Sequence, residues 1–443
     1  MTTSRIMTPH TALFAASMLA AGIGPAMRAA ALSEFVGFQS ASPVAVGDAP
    51  ISLAIDDLNG DGHLDLAVAN TAAGAVSIRL GLGGGEFSAT REIQVGPFPD
   101  AIAVGDVDGD GDVDLVVTSN PSGAENDGVI VMRNDGHATF SYAGFKAVGS
   151  SPQSVELVDL NRDQHLDLVV GIFSNVAVML GDGHGGFGSP DLIAAGNSFL
   201  AAQSADVNLD GHPDVIAAGI GAPTIAVLMN QGSGLLNGPI EYDAGDRPRS
   251  FAVGDVTGDS WPDIIIAGET QDGVGAIHVL AGAGEGVFEK PQLLPNTGRF
   301  GTGIGPWDAA LVDLDFDIDL DLVVSNEGSG DVSVYLNDGA GGFSQPSHYP
   351  AGASARALVT GDVNNDGDPD LVVATLAADS VALLINLTRD PVDLNSNGVV
   401  DSVDLAILLS VWGTDGASTG ADLTDDGIVN GDDLAVILAN WAS

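Results

Sequence analysis

Short apolar runs of strand length punctuate most of the chain, each bounded by Gly, Pro, Asn or Asp, and this pattern changes only towards the two ends. Residues 101–148 show the unit. An apolar run at 101–104 enters a cluster of acids, a β-rich run at 115–119 leaves it, a third run covers 129–133 and a fourth 140–148. The third run commonly ends in a glycine-rich turn closed by phenylalanine, as in Gly83-Gly-Gly-Glu-Phe87, Asp182-Gly-His-Gly-Gly-Phe187 and Asp338-Gly-Ala-Gly-Gly-Phe343. Glycine supplies the positive φ of a tight hairpin, and the ring is then placed to pack back onto the strands.

The acidic cluster is itself a repeat. The nine-residue string Asp57-Leu-Asn59-Gly-Asp61-Gly62-His-Leu-Asp65 recurs with first aspartates at Asp106, Asp159, Asp206, Asp255, Asp313 and Asp362, at spacings of 49, 53, 47, 49, 58 and 49 residues. A period near 50 residues fits one four-stranded propeller blade per repeat and predicts an all-β ring of seven blades. The last repeat stops after a third strand at 381–385, while an unpaired strand at 43–46 precedes the first acidic loop. The N-terminal strand is therefore expected to complete the last blade, which removes the exposed edges of an open array.

Seven acidic signatures in register, each followed by a strand such as Leu115-Val-Val-Thr-Ser119, resemble the FG-GAP or VCBS repeat family over roughly residues 35–389. That family forms the blades of integrin α-subunit propellers and occurs in many bacterial secreted proteins. Calcium takes six to eight oxygens, and alternating carboxylates or amides in a turn bring positions 1, 3 and 5 to one point. The resemblance implies side-chain ligands at positions 1, 3, 5 and 9 and a backbone carbonyl at position 7. The implied sets are Asp57, Asn59, Asp61, His63 and Asp65; Asp106, Asp108, Asp110, Asp112 and Asp114; Asp159, Asn161, Asp163, His165 and Asp167; and Asp206, Asn208, Asp210, His212 and Asp214. The last three are Asp255, Asp259 and Asp263; Asp313, Asp315, Asp317 and Asp321; and Asp362, Asn364, Asp366, Asp368 and Asp370.

Four loops keep glycine at position 6, where the chain must turn sharply, whereas Gln164, Ser260 and Ile318 stand there in the others. A β-branched residue at positive φ is costly, so the sixth loop has the charge for metal but not the turn. Asx-rich turns without metal are the alternative for any single loop. Histidines 63, 165 and 212 sit at position 7, where the carbonyl coordinates, and their rings are expected to face solvent.

Charge strengthens the metal reading. The chain of 443 residues carries 60 acidic against 13 basic residues, a formal net charge of −47, and the acids fall in these spaced clusters rather than in a tail. Such a surface repels phosphates and excludes nucleic acid as a natural partner. There is no cysteine, so thiolate metal sites, disulfides and cysteine nucleophiles are all excluded. Arg5, an apolar stretch from about Thr11 to Ile23 and the small residues Ala29-Ala30-Ala31 form a secretory signal, with cleavage expected after Ala31. A membrane anchor is the alternative, but the run is shorter than the ~20 residues a span needs and Pro25 interrupts it. The mature protein is expected outside the cell or on a bacterial surface.

After Asn386 the pattern changes. Asp393-Leu-Asn395-Ser-Asn397-Gly398-Val399-Val-Asp401-Ser-Val-Asp404 is a twelve-residue EF-hand-type loop, repeated 29 residues later as Asp422-Leu-Thr424-Asp-Asp426-Gly427-Ile428-Val-Asn430-Gly-Asp-Asp433. Each leads into a helical stripe, Leu405, Leu408, Leu409 and Trp412, then Leu434, Ile437, Leu438 and Trp441, which predicts two helices burying these faces against each other. One helix after each loop, aspartate at position 12 and the duplication resemble the dockerin type I family over residues 391–443. The resemblance implies two further calcium ions and a cohesin-type partner; a purely stabilising calcium module is the alternative. The expected organisation is a signal peptide at 1–31, a propeller at 32–389 and a dockerin-like module at 390–443.

In a four-stranded meander the loops after the first and third strands share one face. The metal loops therefore lie together, and the connections of variable length, 119–128, 268–275 and 296–307, lie on the other, where binding is usually placed. The longest insertion carries Arg299, Phe300 and Trp307, the candidate contacts for a protein or glycan. The competing class is a dockerin-bearing extracellular polysaccharide lyase or glycoside hydrolase, or the accessory subunit of one. Against an enzyme, nearly all carboxylates are committed to the metal loops, and no nucleophile elbow, zinc motif or independent histidine pair is present in the sequence.

Overall fold

The computed structural model describes residues 35–441, apart from 122–126, 196–200, 220, 246, 271–273, 295–302, 389–391, 396–399, 416–418, 425–427 and 440. The expected signal peptide lies outside the described residues. Among the described residues seven antiparallel sheets follow one another, six of them with four strands in chain order. Blade 1 runs through Pro50–Asp56, Asp65–Asn70, Ala75–Arg79 and Arg91–Gln94, with Leu53 opposite Val68 and Val68 opposite Ser77. Blades 2 to 6 begin with Ile102–Gly105, Ser154–Val158, Ala201–Ala205, Arg247–Gly254 and Pro306–Val312, and blade 7 with Ala355–Gly361.

Place in the blade sets burial. Second strands such as Asp114–Ser119, Asp167–Ile172 and Asp321–Asn326 are buried along their whole length. Outer strands such as Arg91–Gln94, Asp191–Ala194 and Ser347–Pro350 are exposed except for a half-buried third residue. Both faces of a second strand meet a neighbouring blade, which is why its sequence is a near-continuous apolar run rather than an alternating one.

The core accordingly lies between blades. Seven buried clusters each draw on two consecutive blades. Ala54, Val76 and Ile78 of blade 1 pack with Val104, Leu115 and Ile130 of blade 2, and Leu53, Leu66 and Val68 of blade 1 pack with Val372, Val381 and Leu383 of blade 7. First strands contact first strands around the whole circle, Pro50–Asp56 touching both Ile102–Gly105 and Ala355–Gly361, so they form the inner ring. Buried asparagines add clasps between blades: Asn134, Asn230, Asn337 and Asn386 each donate Nδ2 to a carbonyl of the preceding blade, at Leu58, Leu160, Val256 and Leu314.

Blade 7 joins the two ends of the propeller. Its strands Asp370–Thr375 and Ser380–Asn386 are followed in space by Phe38–Ser40 and Val44–Ala45, with Phe38 opposite Asn386 and Val44 opposite Val381. The closing segment expected at 43–46 is thus only the second half of the real one. Pro43, which has no N–H to give, falls in the gap, while Ala41 keeps the ladder by donating to Leu383 at 3.0 Å. Phe35, Phe38 and Tyr349 meet edge to face and tie the segment to blade 6.

Beyond the ring, helices α1 (Ser402–Ser410) and α2 (Gly431–Ala439) share a separate small core with Val392, Val400, Leu423 and Val429. The expected stripes are only half buried. Leu408 and Ile437 are enclosed and Leu405, Leu434 and Trp441 pack beside them, but Leu409, Trp412 and Leu438 are 50, 45 and 54 % exposed. Loop residues Val400 and Val429 occupy the space that the second half of each stripe was expected to fill. Among the described residues no helix is long and apolar enough to cross a membrane.

Candidate metal centres and the opposite rim

Each acidic loop is a turn bonded to its own side chains. In the first, Asp57 Oδ1 accepts the N–H of Gly60 at 2.7 Å, Asp57 Oδ2 that of Gly62 at 2.8 Å, Asn59 Oδ1 that of Asp61 at 2.9 Å, and Asp61 Oδ1 that of His63 at 2.9 Å. The bond from position 6 to position 1 occurs in all seven loops at 2.7 to 3.0 Å. Gln164, Ser260 and Ile318 make it at φ of 71°, 73° and 79°, so the turn that Ile318 was expected to oppose does form. Its side chain is exposed.

Position 9 explains why the turn persists. All seven aspartates there are fully buried. Asp65 accepts the N–H of Gly81 at 2.7 Å on one oxygen and of Leu58 at 3.0 Å on the other; Asp321 accepts from Asn337 at 2.8 Å and Leu314 at 3.0 Å. Asp114, Asp167, Asp214, Asp263 and Asp370 repeat the arrangement. The carboxylate therefore bolts position 2 of the loop to the end of the third strand, a role that sequence reading missed. Burial, only partly offset by these N–H groups, pushes Asp321 up to about 8, Asp65, Asp114 and Asp370 to about 7, and Asp167 and Asp214 to about 6.

Carboxylate oxygens of Asp106, Asp108 and Asp114 lie within 4.8 Å of one another, as do those of Asp313, Asp315 and Asp317. That is about twice a calcium–oxygen distance, the separation expected of oxygens around one ion. Asp313 Oδ1 is buried without a hydrogen-bond partner, and burial raises its pKa to about 6. These donor sets fit a hard divalent cation. In the second loop Arg133 intrudes, with Nε 3.1 Å from Asp108 Oδ2. The histidines divide: His165 is exposed as expected, but His63 and His212 are half-buried against Gly83 and Gly232, and His63 Nδ1 lies 2.6 Å from Asn365 Oδ1 of blade 7. Glycine in the adjoining hairpin leaves room for the rings.

The two C-terminal loops match in geometry. Asp404 accepts the N–H of Asn395 at 3.1 Å and Asp401 at 2.8 Å, and Asp433 accepts those of Thr424 at 2.9 Å and Asn430 at 2.7 Å. Thr424 also donates its hydroxyl to Asp433 at 3.0 Å. Asn397, Val399 and Asp426 lie outside the described residues.

Arg299 and Phe300 of the opposite rim also lie outside the described residues. Trp307 does not project alone from the insertion. The guanidinium carbons of Arg249 from blade 5 and Arg356 from blade 7 stand 4.9 and 4.0 Å from its ring centroid. Arg356 donates twice to Glu327, at 2.9 and 2.6 Å, and Arg249 faces Glu269 at 3.7 Å. All three stacked residues stand six positions before the first aspartate of their loops, at the start of the inner strands and hence opposite the acidic turns.

Comparison with known sequences follows the same register. An FG-GAP-like repeat matches at residues 57–117, 106–170, 159–217, 206–266, 255–324 and 313–373. The chain belongs to the FG-GAP-like repeat family. No curated protein matches the sequence of this FG-GAP-like chain. Its fold is similar to that of an Agrocybe aegerita lectin described as recognising non-reducing terminal N-acetylglucosamine, at 19 % identity and TM-score 0.52, covering 77 % of this chain and 86 % of the lectin. It is also similar to BBS1N in complex with ARL6DN, at 14 % identity and TM-score 0.55, covering 80 % and 98 %. At such identities the likeness of these structures to the FG-GAP-like ring extends to fold alone.

Proposed function

We propose that this is a secreted, calcium-loaded recognition protein whose propeller binds a protein or glycan on the face opposite its acidic loops, and whose residues 391–443 attach it to a cohesin-bearing scaffold or surface. The observation that carries the reading is the division of the ring into two unlike faces, one of repeated acidic turns and one bearing the Arg249, Trp307 and Arg356 stack. Side chains at positions 1, 3, 5 and 9 would hold the ions, which supply positive charge to buried carboxylates and brace the loops. A lectin and a protein-binding domain among similar folds support recognition as the role. The exposed Leu409, Trp412 and Leu438 support attachment through the C-terminal module.

A pull-down in calcium and in EDTA, using intact protein and a form lacking 391–443, tests both halves. Calcium-dependent capture of a cohesin by the intact form alone, with capture of a glycan or protein by both forms, is expected. Failure of either form to retain any glycan or protein from an extracellular panel would overturn the recognition role.

A further inference from the structure

Three of the chain's 13 basic residues, Arg247, Arg249 and Arg356, gather on one sector of the rim opposite the acidic loops. Their surroundings are unequal. Arg356 spends two donors on Glu327 and lies flat against Trp307. Arg247 and Arg249 instead share one oxygen, Glu269 Oε2, at 3.5 and 3.7 Å, both too long for a hydrogen bond of ordinary strength. Arg249 Nε is buried with no hydrogen-bond partner among the described residues, although its side chain is 18 % exposed overall. The two guanidiniums share one carboxylate oxygen, so the more exposed Arg247 keeps donors that Glu269 does not occupy.

Glu269 also lines a cavity of about 510 Å³ between blades 4 and 5, together with Thr224, Asp243, Thr270 and His278. Neither arginine lines it, so Glu269 stands between the polar groups of the cavity and the two guanidiniums. A polyanion such as a polyglutamate strand would answer the guanidiniums but meet Asp243 and Glu269 as like charges. A ligand that carries one carboxylate and several hydroxyls on a small frame satisfies both sets. We infer that this sector binds a uronic acid residue of a glycan, its carboxylate on Arg247 and Arg249 and its hydroxyls towards Asp243, Glu269 and Thr270. The inference rests on the recognition role proposed above and gives it a ligand class.

The test is titration calorimetry of the full-length protein in calcium buffer with β-1,4-linked triglucuronate, cellotriose and hexaglutamate. Triglucuronate should bind at least about tenfold more tightly than either comparator, as expected for charge-assisted bonds to a forked cation. Arg249→Gln should remove about tenfold of that affinity and leave any cellotriose binding unchanged. Arg247→Gln, at a more exposed position, supplies the same test if the first variant loosens blade 5. Equal affinity for acid and neutral trisaccharides, preference for hexaglutamate, or indifference to both substitutions would overturn the assignment. Capture of a neutral glycan or a protein by this face in the pull-down would leave the recognition role standing and sink only the uronate.

Discussion

Ile318 donates its N–H to Asp313 Oδ2 at 3.0 Å, the bond that Gly62 makes to Asp57 at 2.8 Å, and it does so with a φ of 79° that a β-branched residue rarely adopts. The strain is held by Asp321, whose two backbone bonds tie Leu314 at the start of the turn to Asn337 at the end of the third strand. Replacing Ile318 by glycine should therefore stabilise the protein by about 0.5–1 kcal/mol, the left-handed penalty less the extra freedom glycine gives the unfolded chain. Urea denaturation checks it, and a lower midpoint for the variant would show that the turn is not strained.

Metal and proton should compete at position 9. Without metal, the folded-state pKa values of about 7 for Asp65, Asp114 and Asp370 and about 8 for Asp321 lie above the ordinary 3.8, so between about pH 4 and 8 the fold holds protons that the unfolded chain releases. Stability of the EDTA-treated protein then falls as pH rises through this window. Calcium should raise the thermal midpoint, and more at pH 8 than at pH 6, because ions bound only by the native state stabilise it by mass action. Scanning calorimetry with EDTA and with calcium at both values is the measurement, and identical midpoints with and without chelator would remove the calcium proposal.

Glu156 offers a pH effect away from any metal loop. It is buried in the inner strand of blade 3, accepts the N–H and hydroxyl of Ser204 in blade 4 at 2.7 and 2.8 Å, and burial pushes its pKa up to about 7. Its ionisation costs the fold stability above that pH and nothing below the ordinary value of 4.5. Glu156→Gln is expected to gain up to roughly 3 kcal/mol relative to the parent at pH 8 and to be neutral or slightly destabilising at pH 4. A gain of the same size at both pH values would point to packing instead.

Removing residues before Pro50 should open the ring. The edge of Ser380–Asn386 loses its ladder with Phe38–Ser40 and Val44–Ala45, and blade 6 loses the ring contacts of Tyr349. A cost of about 3 kcal/mol or more follows from the buried apolar groups and ladder bonds given up, with self-association through the bare edge. Light scattering after size exclusion reads the second effect. A monomer of unchanged midpoint would show that closure is dispensable.

The seven blades were legible because their period is written in the acidic string, and positions 1 to 5 of each loop because their hydrogen bonds are local. The second duty of position 9 was not, since the partner of Asp65 is Gly81, on the far side of two strands. Trp307 was grouped with Arg299 and Phe300 because they are neighbours in sequence, whereas its actual companions come from adjoining blades. A signal existed: laying the repeats over one another puts Arg249, Trp307 and Arg356 in a single column. The exposed half of the C-terminal stripes escaped for another reason, since periodicity predicts a shared face but not that Val400 and Val429 will fill half of the space against it.

Closure of the ring by its two ends also sets an order in time. Ala49 and Asp379, which meet at the seam at 2.9 Å, stand 330 residues apart. At ordinary rates of synthesis the first segment waits roughly 15 to 70 seconds for its partner to exist. Through that interval six blades can stack while the last interface stays open, so the oldest part of the ring is the last to be docked. A chain interrupted late in its production would leave a nearly complete arc with two adhesive ends, and the cell has reason to finish or destroy it.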